Sequence, residues 1–134
     1  MTGSKLKLSI VTPERKVLEC DCDEVSVPGA KGEFGVLPGH APFLAFLGIG
    51  ALSYRIGPKS GRLVIRGGLA EVLDDRVNIL ADLAELPREI DTAAAASAEQ
   101  EALDRLKTAS GEAVRATVDE VFLNAARRSV ASGN

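Results

Sequence analysis

Apolar and polar residues alternate along the first part of the chain with the two-residue period of strands that are buried on one face. Leu6, Leu8 and Ile10 form the first such series, and glycines and prolines interrupt the pattern at short intervals. Seven or more short strands separated by such turns are typical of a β-sandwich or barrel. The pattern therefore predicts an all-β domain over residues 1–86.

One step in this alternation is irregular. Inward positions from Leu18 to Cys22 are two residues apart, whereas the next apolar position, Val25, follows after three. Because a shift of one residue turns every later side chain to the opposite face, the strand cannot continue unchanged. We expect a β-bulge or kink near Asp23 and Glu24.

The period changes to that of helices after the β domain, and alanine becomes the dominant residue. The pattern predicts one helix that begins at Asp91 or Thr92 and ends near Thr108, a break at residues 110–111, and a second helix over residues 112–131. We therefore expect an α+β protein, in which a two-helix antiparallel hairpin follows the β domain.

Small side chains dominate the predicted contact between the two helices, over residues 87–134. Alanine buries little apolar surface, so the hairpin is predicted to dock weakly and to open. A plain, well-packed helical appendage is the alternative interpretation. The predicted inner face comprises Ala95, Ala98, Ala102, Leu106 and Ala109 on the first helix and Val114, Val118, Phe122 and Ala125 on the second.

Composition restricts the classes of partner. The formal net charge is −3 and no cluster of basic residues occurs, which argues against nucleic acid as a ligand. No apolar run approaches the ~20 residues of a membrane span, and the first residues lack the apolar core of a signal peptide, so we expect a cytoplasmic protein. Cys20 and Cys22 are interpreted as small buried residues without chemistry.

Residues 32–42 are the most distinctive stretch, because Pro38, Pro42 and three glycines fix the path of a loop that carries Glu33 and His40. We found no phosphate-binding loop, no metal-ligand cluster and no nucleophile motif. The sequence therefore predicts a binding or regulatory module with no catalytic residue, no metal and no cofactor. A small hydrolase that uses His40 is the least favoured alternative.

Three segments carry a resemblance to a known family. They are Gly-Glu-Phe-Gly-Val-Leu-Pro-Gly-His-Ala-Pro at residues 32–42, Arg-Gly-Gly-Leu-Ala-Glu-Val at 66–72 and Val-Asn-Ile-Leu-Ala-Asp at 77–82. In order and spacing they resemble the epsilon subunit of bacterial F-type ATP synthase. The resemblance implies a β-sandwich of about ten short strands at residues 1–86 and a regulatory helical hairpin at residues 87–134.

The resemblance also implies the partners of the β domain. In the family this domain joins the gamma subunit to the membrane c-ring, so the chain is expected to be a non-catalytic rotor subunit of proton- or sodium-driven ATP synthesis. Glu33 matches the glutamate beside the c-ring, and His40, with Pro38 and Pro42, falls in the gamma-facing region. The implied location is the cytoplasmic face of the bacterial inner membrane, in contact with the membrane only through the complex.

The resemblance also implies a regulatory role for the hairpin. In the family the helices swing up into the alpha/beta catalytic head and inhibit ATP hydrolysis, and basic residues of the second helix meet an acidic segment of the beta subunit. The candidates here are Arg115, Arg127 and Arg128. A simpler interpretation is that arginines near the end of a helix complement its dipole.

Some family members bind ATP through Ile/Leu-Asp-x-x-Arg-Ala at the start of the first helix. Residues 90–95 retain the aspartate as Asp91, and Glu85 fits an upstream acidic position, but Ala94 replaces the arginine. Glu101 stands where a second basic group is expected. Loss of cations weakens a triphosphate site, so weak or absent ATP binding is expected. The rival to the whole assignment is a free-standing β-sandwich adaptor with a helical tail.

Overall fold

The computed structural model describes residues 4–133. They form a sandwich of eight strands, a short 3-10 turn and two helices. The elements are β1 Leu6–Val11, β2 Lys16–Cys22, β3 Glu24–Gly29, β4 Gly32–Val36, β5 Phe43–Phe46, β6 Ile49–Ile56, β7 Lys59–Leu73, β8 Arg76–Glu85, the 3-10 turn Pro87–Glu89, α1 Thr92–Leu106 and α2 Glu112–Ala131.

Hydrogen bonds join the strands in the order β2-β1-β8-β7-β6-β3-β4, and β5 also pairs with β7. All pairs are antiparallel except β1 with β8. The first half of β7 pairs with β6 and its second half with β5. Strand β7 is therefore common to both sides of the sandwich.

The described residues form eight strands, slightly fewer than the roughly ten short strands that the resemblance implies. Residues 62–66 and 69–73, which a pair of glycines separates in the sequence, lie in the single strand β7. Gly67 and Gly68 lie between them with φ of +67° and +112°, values that other residues rarely adopt. The two glycines bend the strand without ending its pairing with β8.

The core lies between the two sides of the sandwich and confirms the alternation in the sequence. Leu6, Leu8 and Ile10 of β1 are fully buried. The predicted kink is confirmed at Asp23, where β2 ends and β3 begins. The Asp23 carboxylate accepts hydrogen bonds from the side chain of Lys5 and from the amide of Gly57, which hold the bend in place.

The helix boundaries agree closely with the sequence pattern. The Asp91 carboxylate accepts a hydrogen bond from the amide of Ala94 at 3.0 Å and caps α1, as predicted. Helix α1 ends at Leu106 rather than near Thr108, and α2 spans the predicted residues. Between them Gly111 has a φ of +62°.

The predicted inner face of α2 is wrong in part. Phe122 is 57% exposed and Val114 is 38% exposed, whereas the polar residues Thr117 and Asn124 are buried. Each polar side chain donates a hydrogen bond to a carbonyl one turn earlier in α2, at 2.7 and 2.9 Å, so neither is buried without a partner.

The reason is that α2 has two contacts to make. Its polar side faces α1, where Glu120 bonds to Arg105 and Arg128 bonds to Glu99. Another side of α2 packs on the sandwich, and Phe122 lines an open groove beside that contact. On α1 the alanine pattern is correct, since Ala95 and Ala102 are buried and Ala98 and Leu106 are half-buried; Ala109, beyond the end of α1, is half-buried as well.

Candidate functional site

Residues 37–42 form an exposed loop after the edge strand β4. The amide of His40 donates to the Leu37 carbonyl at 3.1 Å, which closes a tight turn. The amide of Gly39 donates to a carboxylate oxygen of Asp75 at 2.7 Å. This hydrogen bond anchors the loop to the turn between β7 and β8, so the chain itself holds the loop in place.

Glu33 and His40 lie apart on this edge. Glu33 is exposed near the tip of the β3–β4 hairpin. His40 is half-buried, with its Nδ1 atom 2.6 Å from the Ala41 carbonyl oxygen and its ring centroid 6.1 Å from that of Phe43. Pro38 is half-buried and Pro42 exposed. In residues 4–133 no hydrogen bond or ion pair joins Glu33 to His40, so a shared acid–base site has no support.

An apolar row crosses the outer surface of the sandwich, and we call it the outer row. It consists of Phe46 in β5, Leu69 in β7, Leu80 in β8 and Val11 in β1, which are direct neighbours in the strand register. Phe46 is 73% exposed and Leu80 is 55% exposed. Leu44 extends the row and is also exposed. A contiguous apolar surface of this kind marks an interaction site.

The sequence contains a local signal for the outer row in strand β8. A strand with one face in water is expected to alternate, yet Ile79, Leu80 and Ala81 are apolar in succession. Ile79 and Ala81 are buried in the core, so Leu80 must point outward. Such a run on an antiparallel strand predicts that both faces of the sheet become covered.

A pocket of about 280 Å³ lies where the sandwich, the 3-10 turn and the two helices meet. It brings together Glu85 and Asp91, the candidates for nucleotide binding, with Arg127, a candidate for contact with the beta subunit. The remaining lining residues are Glu89, Ile90, Ala94, Ala95, Ala98 and Asn124. This is the location where the resemblance implies a nucleotide.

Every charged group of the pocket already has a partner within the chain. Arg127 donates Nε and Nη2 to the two carboxylate oxygens of Glu85 at 2.7 and 2.8 Å. Glu89 pairs with Arg15 at 2.7 Å, and the hydrogen bond from Arg15 is the largest cause that lowers the pKa of Glu89 to about 2. Asp91 caps α1. The charged side chains of the pocket can therefore bind an added ion only if one of these contacts breaks.

The lining has three carboxylates and one guanidinium, a balance that disfavours a polyanion. At position 94 a methyl group takes the place of the arginine of the family motif. Glu101 is exposed on α1 and does not line the pocket.

The three arginines proposed for the beta subunit do not form one cluster in this conformation. Arg115 has an 88% exposed side chain and lies 3.8 Å from Asp119. Arg128 donates to Glu99 of α1 at 2.7 and 3.3 Å. Arg127 is held by Glu85, so all three arginines have carboxylate partners within the chain, and the contact of Arg115 is the longest and most exposed of the three.

Helix α2 docks on the sandwich through a small apolar cluster in its second half. Leu123 and Val130 of α2 bury Val64 of β7. Half-buried Ile49, Ala51, Leu83, Ile90 and Ala126 pack around these three residues. Closer to the start of α2, at Arg115, Asp119 and Phe122, an open groove remains between the helix and the sandwich.

The cysteines lie in or beside the core. Burial raises the pKa of the Cys22 thiol to about 11 and raises that of Cys20 as well. Both thiols are protonated at neutral pH and are poor nucleophiles. Within residues 4–133 no group of three or more metal-ligating side chains occurs, and neither helix is long and apolar enough to cross a membrane.

Comparisons with known proteins agree with this architecture. The family model described as the β-sandwich domain of the ATP synthase delta/epsilon chain matches residues 5–87. The ATP synthase epsilon chain of Syntrophobacter fumaroxidans is 54% identical over 104 residues, 78% of each chain. That of Nitratidesulfovibrio vulgaris strain DP4 is 40% identical over 129 residues, 96% of each chain.

Solved structures extend the comparison to the helices. A chain of the Euglena gracilis mitochondrial ATP synthase has a TM-score of 0.77 and 28% identity, covering 97% of this chain and 82% of that one. A chain of the Tetrahymena thermophila central stalk and c-ring, with a TM-score of 0.54 and 19% identity over 88% of this chain and 97% of that one, is similar in fold. The resemblance inferred from residues 32–42, 66–72 and 77–82 is confirmed, and the chain belongs to the ATP synthase epsilon chain family.

Proposed function

We propose that this protein is a non-catalytic central-stalk subunit of an F-type ATP synthase. Its sandwich couples the gamma subunit to the c-ring, and its helical hairpin restrains ATP hydrolysis. Membership of the ATP synthase epsilon chain family supports the assignment of this chain to that complex. The observation that carries a binding role for the sandwich is the outer row, an apolar surface that the chain's own hairpin leaves exposed.

The gamma subunit is the proposed partner of the outer row. A flat apolar sheet face suits a permanent interface, whose buried centre is more apolar than the rest of a protein surface. The loop with His40, Pro38 and Pro42 runs directly into β5, whose Leu44 and Phe46 belong to this surface, and is proposed to extend the interface with gamma. Since the Asp75 carboxylate holds the loop rigid, binding costs little ordering entropy.

The c-ring is the proposed partner of Glu33. Its carboxylate is exposed at the tip of the β3–β4 hairpin and has no bonded partner in residues 4–133. It is therefore available for basic groups on the loops of the ring. In this arrangement the chain reaches the membrane only through the complex, on the cytoplasmic face of the inner membrane, in an enzyme driven by protons or sodium ions.

The hairpin is the proposed brake on hydrolysis, and the alpha/beta catalytic head is its target. Docking of α2 on the sandwich depends on the small cluster around Val64 and on a few polar contacts. A helix held in this way can undock at modest cost. Once undocked, α2 would present Arg115, Arg127 and Arg128 to an acidic segment of the beta subunit.

The direct test is co-expression with the gamma subunit of the same organism. We expect a stable one-to-one complex with gamma and, in membranes, retention with the c-ring. A free-standing adaptor would purify without either partner. ATP hydrolysis by the isolated chain above background would contradict the non-catalytic role.

A further inference from the structure

Cys20 and Cys22 are the only cysteines of the chain, and they lie two residues apart on strand β2. Residues i and i+2 of a strand share a face, with Cα atoms roughly 7 Å apart. The register with β1 places the two cysteines opposite Leu8 and Leu6, which are fully buried. Both thiols therefore lie side by side on the face of β2 that is turned to the core.

The two thiols differ in access from solvent. Cys22 is fully buried, whereas Cys20 is half-buried at the margin of the core. Strand β2 stands at one end of the strand order and pairs with β1 alone among the described strands. Because a segment with few hydrogen-bonded neighbours opens locally at low free energy, a small ion can pass Cys20 and reach Cys22 without unfolding of the sandwich.

Tyr54 of β6 lies beside the cysteine pair. Its ring packs against the same core cluster as Cys20. Burial raises the pKa of the Tyr54 phenol, and the nearby thiols of Cys20 and Cys22 raise it further. A Cβ atom at Gly61 would collide with the Tyr54 ring, so the ring lies directly against β7. The cysteine pair is thus flanked by an aromatic side chain that limits contact with water.

The electrostatic surroundings of the thiols favour a cation. Burial, followed by the charges of Cys20 and Asp23, raises the pKa of the Cys22 thiol to about 11. Burial, followed by the charge of Asp21, raises the pKa of Cys20. A negative potential that opposes a bare thiolate stabilises a positive ion at the same place, and a thiophilic ion displaces the thiol proton when the sulfur binds it.

The number of donors restricts the kind of ion. In the part of the chain that the structure describes, no third His, Cys, Asp or Glu joins the two cysteines in a ligand group. Structural zinc takes four ligands, and calcium and magnesium take oxygen ligands. Thiolates select soft ions such as Cu(I), for which two sulfurs suffice. With metal–sulfur bonds of roughly 2.3 Å, one ion joins sulfurs up to roughly 4.6 Å apart, a separation that two cysteines on one face of a strand can adopt.

We propose that Cys20 and Cys22 form a two-coordinate site for a soft, thiophilic metal ion of the Cu(I) type. Each sulfur loses its proton as it binds the ion, so the ion replaces two protons and neither metal nor sulfur changes oxidation state. The site uses no residue of the outer row and none of the loop at residues 37–42. It goes beyond the proposed function and is a property of the chain alone.

The experiment titrates the isolated full-length chain, reduced and kept free of oxygen, with Cu(I) in competition with the coloured chelator bicinchoninate. We expect one ion per chain, and X-ray absorption of the loaded protein should show two sulfur ligands at copper. Cys20→Ala and Cys22→Ala should each lower the affinity roughly a hundredfold or more, because one sulfur remains. Val17→Ala is the matched control, since it removes apolar volume from β2 and leaves both sulfurs in place.

Circular dichroism checks that each variant is folded. If Cys22→Ala does not fold, Cys20→Ala at the half-buried position and the X-ray absorption of the wild type still test the site. The proposal is overturned if the wild type takes up no Cu(I), if copper bridges two chains through Cys20 alone, or if zinc binds with comparable affinity. These measurements do not involve the gamma subunit or ATP hydrolysis, so their failure is distinct from failure of the proposed function.

Discussion

Arg15, in the turn between β1 and β2, holds Glu89 of the 3-10 turn through both ends of its guanidinium, at 2.8 and 2.7 Å. The same carboxylate accepts a hydrogen bond from the amide of Leu86 at 2.8 Å. The last residues before α1 are therefore fastened to the sandwich. The first helix begins from a fixed point.

This contact predicts a specific acid sensitivity. The Arg15 hydrogen bond, followed by that of the Leu86 amide, lowers the pKa of Glu89 from its ordinary 4.5 to about 2. Because the folded pKa is the lower one, the contribution to stability is complete above pH 4.5 and is lost as the pH falls toward 2. Because both side chains are partly exposed, we expect the pair to contribute ~1 kcal/mol to the free energy of unfolding.

Urea unfolding at several pH values checks this prediction. Glu89→Gln should be less stable than the wild type at pH 7, and the difference should disappear near pH 2. Glu33→Gln, an exposed carboxylate in the β3–β4 hairpin away from this pair, serves as the control for removal of a charge. A difference between wild type and Glu89→Gln that stays constant with pH would contradict the assignment.

Gly68 is predicted to be the least replaceable glycine of β7. A Cβ atom there would collide with the carbonyl oxygen of Leu80, and φ is +112°. The nearest atoms, the carbonyl of Leu80 and the Cα of Ala81, belong to the backbone of the paired strand and cannot rotate away. Gly68→Ala should therefore lower the free energy of unfolding by about 2–4 kcal/mol. Gly35→Ala is the matched control, because a Cβ atom at Gly35 meets nothing within 4 Å. Thermal unfolding of the two variants with equal midpoints would refute the close approach.

The two proposed faces of the sandwich should be separable by substitution. Leu80→Asp places a charge in the centre of the outer row and should weaken gamma binding at least tenfold, because the interface would bury an unpaired carboxylate. Glu33→Lys should weaken retention on the c-ring and leave gamma binding within twofold. Pull-down with gamma and with c-ring membranes provides both readouts. Equal losses in both assays for either variant would count against the division of surfaces.

Nucleotide binding is predicted to be weak. The pocket at the hairpin junction has one guanidinium, which Glu85 already neutralises, and Ala94 supplies no cation. Calorimetry with ATP and magnesium should give a dissociation constant in the millimolar range or no heat at all. A micromolar constant would show that the pocket rearranges around the phosphates.

Much of the fold is present in local sequence signals. The two-residue period located the buried side of β1, and the three-residue step before Val25 located the kink at Asp23. The N-cap at Asp91 and the glycine at position 111 fixed the helix ends within two residues. Each of these features is determined by residues near one another in sequence.

Features that depend on distant residues were not predicted. The inner face of α2 was misassigned because a helix that contacts both α1 and a sheet has two buried sides, and Thr117 and Asn124 satisfy their polar groups within their own helix. The apolar run at residues 79–81 signals locally that Leu80 points outward, but the alignment of the four residues of the outer row arises from register across four strands. The pairing of Arg127 with Glu85 likewise joins residues 42 positions apart.

The most direct test of the account is the ATPase activity of the assembled enzyme with and without the hairpin. A chain that ends after Ile90 keeps the Arg15–Glu89 contact and should still assemble with gamma, while ATP hydrolysis rises severalfold over that of the enzyme with the full chain. The full-length chain with Arg127→Gln and Arg128→Gln should show part of the same increase. Because this variant retains both helices, its increase cannot come from the exposure of Val64 that truncation causes. Unchanged hydrolysis in an enzyme that retains the shortened chain would contradict the brake, and loss of gamma binding would contradict the coupling role of the sandwich.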